Sequence, residues 1–100
     1  MVKVMIKRKA PPGREAELLS LIKELRSLAS KQQGYISGET LLSAETPAEY
    51  LVISIWQTEK DWNRWRATEE RKDVQGRIDA LIGLPTVYET YHYPHLTHEP

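Results

Sequence analysis

A chain of 100 residues is the size of one domain, and 40% hydrophobic with 28% charged residues is the composition of a folded globule, not of a disordered tail. Fourteen Lys and Arg balance fourteen Asp and Glu, and this zero formal charge argues against nucleic-acid and polybasic membrane binding. Cysteine is absent, which excludes disulfides, zinc–thiolate sites, iron–sulfur clusters and a cysteine nucleophile.

The first segment alternates Val2, Val4 and Ile6 with Lys3, Met5 and Lys7, the pattern of a strand with one apolar face. It lacks the apolar block of a secretion signal, and no segment approaches the ~20 apolar residues of a membrane span, so a cytoplasmic protein is expected. Pro11-Pro12-Gly13 ends the strand. From Arg14 to about Lys31, Leu18, Leu21, Ile22, Leu25, Leu28 and Ala29 step by three and four, which predicts a helix with one apolar stripe. Glu15 and Glu17 in its first turn and Lys31 in its last suit the helix dipole, and Gly34 supplies a stop.

Tyr35 to Leu42 reads as a second strand, diluted by Ser37 and Gly38, and a loop over Ala44–Ala48 suits a hairpin. Tyr50 to Trp56 is apolar and rich in β-branched residues, a strand covered on both faces. Thr58 is a natural N-cap with Asp61 three residues on. A helical stretch follows to about Leu81, with a break near Thr68. Trp62 and Trp65 share a face of its first part; Val74, Ile78, Leu81 and Ile82 share one of its second. Thr86 to Tyr93 is the last strand. Residues 1–93 are expected to form the single domain and 94–100 a mobile tail.

The order β-α-β-β-α-β is the split βαβ plan, a ferredoxin-like α+β fold with a four-stranded antiparallel sheet and both helices on one face. Leu51, Ile53 and Ile55 then lie on one side of the third strand and Tyr50, Val52 and Trp56 on the other. An apolar sheet face without helices implies a partner. A second copy packed face to face makes a barrel-like, two-fold homodimer. Tyr91 and Tyr93 point the same way on the last strand and suit that interface, with a phenol pair in a substrate pocket as the alternative.

The run Val-Ile-Ser-Ile-Trp-Gln-Thr-Glu-Lys-Asp-Trp-Asn-Arg-Trp, Val52 to Trp65, resembles the antibiotic biosynthesis monooxygenase (ABM) domain. Pro12-Gly13 before the first helix, Gly34-Tyr35 after it and the closing Tyr88-Glu89-Thr90-Tyr91 carry the same likeness. It implies a dimeric α/β barrel, with activities that range from cofactor-independent oxidation of aromatic polyketides to haem cleavage. Haem-degrading members use an asparagine in the first strand, a tryptophan on the following helix and a histidine ligand ten residues on. Trp65 matches the tryptophan, but Met5, Ile6 and Lys7 offer no asparagine and Gln75 holds the ligand position, so haem cleavage is disfavoured. The polyketide-oxidising members have a tryptophan at the end of the third strand, matched by Trp56. Their asparagine and tyrosine positions are Val52 and Trp62 here.

Trp56, Trp62 and Trp65 are candidates to line a pocket for a planar ring, against the alternative of plain core packing. His92, ending the last strand, is the candidate general base, against a rim histidine bonded to backbone. His92, His95 and His98 are spaced by three, but Pro94 disfavours the helix that a metal site there requires, and no metal is expected. The mixed charges from Arg64 to Arg77 read as a solvated helix face, from which Arg66 or Arg77 is placed at a pocket mouth to hold an enolate or carboxylate. Lys3, Lys7, Arg8 and Lys9 make a basic strand too short for RNA binding. The implied function is a monooxygenase without cofactor, acting on a small hydroxylated aromatic or quinol. A non-catalytic dimeric module that binds a small ligand or a protein is the other expectation.

Overall fold

The computed structural model describes residues 1–94, in the order β1 (Val2–Lys9), α1 (Glu15–Ala29), β2 (Tyr35–Leu42), β3 (Glu49–Trp56), α2 (Glu59–Arg66), α3 (Glu69–Ile82) and β4 (Val87–His92). The expected tail lies outside these residues from His95 onward. The strands form one antiparallel sheet in the order β2-β3-β1-β4, the ferredoxin-like arrangement. The helical stretch after β3 is two helices, not one broken helix, which gives β-α-β-β-α-α-β. Thr68 makes the division: its backbone is extended, its hydroxyl donates to the Trp65 carbonyl (2.9 Å), and its oxygen accepts from the Arg71 amide (3.2 Å). The chain thereby restarts with a fresh helical phase, and both α2 and α3 turn an apolar side to the sheet. No helix among the described residues is long and apolar enough to cross a membrane.

The β1–β3 register sets Val2 beside Trp56, Val4 beside Ser54, Ile6 beside Val52 and Arg8 beside Tyr50. Period-2 alternation puts these on the helix-covered face. At one end of that layer Val2, Val4, Ile6, Ala29, Trp56, Trp62 and Trp65 pack together; at the other, Ala10, Leu18, Ile22, Tyr50, Val74, Ile78 and Ile82 do. Among the described residues, no helix lies on the opposite face of the sheet. Met5, Leu51, Ile53, Ile55, Leu41, Val87 and Tyr91 lie on it by register, interspersed with Lys3, Lys7, Glu39 and Glu89. Lys3 also sits over the Tyr93 ring (5.9 Å), so Tyr91 and Tyr93 both attend this face.

The entry to α2 is held by one constrained corner. Gly34 has φ +86°, and a Cβ there would stand 2.2 Å from the Asp61 carboxyl carbon. Asp61 is buried, accepts from the Thr58 hydroxyl (2.8 Å) and from Arg64 (2.9 Å), and its amide donates to the Thr58 oxygen (3.1 Å). The capping contact expected at Thr58 is present, with the hydroxyl serving as both donor and acceptor. The Thr58 bond, followed by Arg64, holds the Asp61 carboxyl below its ordinary value. A carboxyl lowered on folding adds stability above its unfolded pKa, near about 4, and loses it as pH falls through the lower folded value. Asp61→Asn is therefore expected to make the acid limb of a stability–pH profile shallower below about pH 4. Parallel acid limbs in wild type and variant contradict this.

Candidate functional site

Between the sheet and α1, under the tryptophan end of the core, lies a cavity of about 40 Å³. That is room for one or two waters, so a planar ring enters only if the walls move apart. All three tryptophans of the chain line it, from the end of β3 (Trp56) and from one side of α2 (Trp62, Trp65). Trp56 is 0% exposed, and its indole Nε1 donates to Ser54 Oγ (3.2 Å), which satisfies the one polar atom of the ring. Tyr35 meets it edge-on at 5.3 Å, Trp62 follows at 6.0 Å, and Tyr88 lies 6.3 Å beyond Trp62. The four rings form a continuous aromatic row, of which Tyr35, Trp56 and Trp62 line the cavity.

The polar part of the cavity is basic. Arg8, Arg26 and Arg71 line it, and among the described residues no acidic side chain does. Arg8 is 3% exposed and donates through Nη2 to Gln75 Oε1 (2.8 Å); its Nε–H is buried and has no partner among the described residues. Burial lowers the Arg8 pKa, Tyr88 opposes that, and neighbouring Arg71 lowers it further. Arg71 is 7% exposed and donates to the Tyr88 hydroxyl and the Arg66 carbonyl (3.4 Å). Arg26 donates to the Thr40 hydroxyl. Gln75, which stands where haem-degrading members are expected to carry their histidine, is tied into the structure: its amide nitrogen donates to Asp79 (2.8 Å) and Thr86 (3.0 Å) while its oxygen accepts from Arg8.

The other residues singled out from sequence lie apart from this cavity. His92 closes β4 with its side chain 61% exposed, and its Nε2 stands 3.2 Å from Glu59 on the first turn of α2. It shares the sheet end of Trp56, since both flank Val2, but it is not a lining residue. His95 and His98 lie outside the described residues. Arg66 rests over the outer faces of Tyr88 (4.5 Å) and Trp62 (5.9 Å) as a cation–π contact and does not line the cavity. Arg77 is drawn to α1 by Glu24 (2.5 Å) and to Asp73 (3.6 Å), on the solvent side.

The solvated-face assignment fails for Arg71, and the basic-edge assignment fails for Arg8, because both are buried. The signal for each is present in the sequence. Arg8 continues the inward phase of Val2, Val4 and Ile6, and Arg71 precedes Val74, Ile78 and Ile82 by three, seven and eleven residues, the core side of α3.

The sequence profile described as antibiotic biosynthesis monooxygenase matches residues 1–77. No curated protein matches the chain. Among solved structures, a conserved protein from Methanosarcina mazei is 18% identical over 93% of this chain and 92% of its own, with a TM-score of 0.85. SnoaB, a cofactor-independent oxygenase from Streptomyces nogalater, is 16% identical over 98% of each chain, with a TM-score of 0.79. Rv0793 from Mycobacterium tuberculosis is 13% identical over 97% of this chain and 98% of its own, with a TM-score of 0.83. At these identities the likeness is one of fold.

Proposed function

Because this chain belongs to the antibiotic biosynthesis monooxygenase family, we propose that it is a cofactor-independent monooxygenase acting on a small hydroxylated aromatic or quinol. The observation that carries this reading is the convergence of all three tryptophans on one cavity beside Arg8 and Arg71. Flat apolar walls suit a planar ring, and closing them over it removes water from the reacting carbon.

The chemistry needs only the substrate and dioxygen. Ionisation of a ring hydroxyl raises the electron density of the ring carbons ortho and para to it, and one that bears hydrogen reacts. That carbanion-like ring passes an electron to dioxygen, and the two recombine as a carbon–oxygen bond, giving a ring hydroperoxide after protonation. Cleavage of its O–O bond, with loss of the proton on the same carbon, expels water and leaves a new carbonyl. One oxygen atom enters the product and the other becomes water, and the ring supplies all four electrons. The guanidiniums favour the ionised ring, and the tryptophans shield the intermediate. His92 takes the first proton as a rim acceptor reached through solvent, with Glu59 orienting it.

The second reading, a non-catalytic ligand-binding module, is favoured by the small size of the cavity. Oxygen uptake with a panel of quinols, hydroxynaphthalenes and anthrones separates the two. Consumption that requires the protein and falls in Trp56→Phe supports the oxygenase. No consumption of any panel member contradicts it and leaves the module.

The assembly we propose is a homodimer through the helix-free sheet face. Its apolar centre is mixed with Lys3, Lys7, Glu39 and Glu89, so two copies related by a two-fold axis present both signs of charge to each other.

A further inference from the structure

We propose that Arg8 and Arg71 form an oxyanion subsite in the tryptophan cavity, so that the ring it takes carries a carboxylate or an ionised hydroxyl. This rests on the reading of the cavity as an aromatic-ring site and specifies the charge of its occupant.

A guanidinium removed from water is normally matched by a carboxylate, since an unpaired buried charge is among the costliest groups a fold can carry. Arg8 and Arg71 are both buried, yet among the described residues neither forms an ion pair. Each is held by neutral acceptors: the Gln75 amide for Arg8, and the Tyr88 hydroxyl and a carbonyl for Arg71. The nearest compensation for Arg8 is indirect, through Gln75 to Asp79. Arg8 also keeps its Nε–H buried and unbonded, although an N–H in that position ordinarily finds an acceptor. A guanidinium stays protonated under such burial. Two fixed positive charges, a vacant donor and a cavity wall to which no described residue brings an acid define a place for a negative oxygen. The aromatic wall beside it fixes the plane of the group that bears this oxygen.

A purely structural role for Arg8 makes a different forecast. There the Arg8–Gln75 bond stabilises the fold and its loss is simply destabilising. In an anion subsite the unliganded protein is strained by the charge, and an apolar replacement of similar length relieves it.

Isothermal titration calorimetry on the full chain tests this with 2-naphthoate, its neutral isostere 2-naphthamide, and 2-naphthol on either side of its ionisation. The expected result is naphthoate or ionised naphthol binding at least about tenfold tighter than the neutral rings, a preference that charge-assisted bonds to guanidinium supply. Arg8→Met is expected to erase that preference, to leave naphthamide affinity within about twofold, and to melt no lower than wild type. Arg8→Lys, which keeps the charge without the guanidinium fork, is expected to retain part of the preference. Which anion is preferred tells a carboxylate from an ionised hydroxyl. Equal affinity for charged and neutral rings in wild type overturns the subsite but leaves the aromatic site standing; binding of neither overturns both. Arg71→Met repeats the comparison should Arg8→Met not fold, and an unchanged anion preference in a folded Arg8→Met overturns the role of Arg8.

Discussion

Trp56→Ala is expected to lower the free energy of unfolding by about 3–5 kcal/mol, the usual cost of deleting a large aromatic from a packed core. Trp56 is wholly buried, joins β1 to β3 through Val2, and touches both the Tyr35 and Trp62 rings. Its removal merges its own volume with the existing cavity, so collapse around the gap is poor, and Ser54 loses the donor that satisfied it. For a domain of this size that corresponds to a fall in Tm of at least about 12 °C. A change below about 5 °C, read by thermal denaturation, contradicts the placement of Trp56 at the centre of the core.

Ile53→Asp acts on the other side of the sheet. Ile53 stands midway along the helix-free face, paired with Met5 on β1 and with Glu39 on β2. In a lone subunit it is part-exposed, and a carboxylate there is solvated at little cost. Between two packed sheets the same carboxylate loses its water and meets apolar side chains. The expected effect is a rise of at least about a hundredfold in the dimer dissociation constant with the fold retained, of the order found at the centre of protein interfaces. Sedimentation equilibrium measures it. A wild type that is already monomeric at micromolar concentration contradicts the interface.

Those two sides of β3 were legible from its six apolar letters between Tyr50 and Trp56, as were the element order and the four strands, because period-2 and period-3.6 patterns are local properties of the chain. The division at Thr68 was half legible. Its capping chemistry marks a break, yet whether the helix resumes in line or turns depends on packing against the sheet. The tryptophan cluster followed from the spacing of Trp62 and Trp65 and from the position of Trp56. The buried arginines did not, although the phase of both is present in the sequence. Charge commonly outweighs phase when a residue is assigned to the surface, and the rule that buried charges are rare is a good one until a binding site breaks it. Arg66 and Arg77, expected from sequence as candidates for a pocket mouth, are engaged elsewhere: one stacks on Tyr88 and the other pairs with Glu24. His92 could be placed on a strand end by pattern, but its facing partner Glu59 depends on how α2 lies over β1 and β4, which no local pattern encodes.

The fate of the two atoms of dioxygen tests the oxygenase account most directly. Metal-stripped, flavin-free protein is supplied with isotopically labelled dioxygen and the ring it consumes, and the products are sampled quickly enough to precede carbonyl exchange. The account predicts one labelled atom in the new carbonyl, the other in water, and no accumulation of peroxide. Unlabelled product, or one hydrogen peroxide released for each ring oxidised, contradicts it.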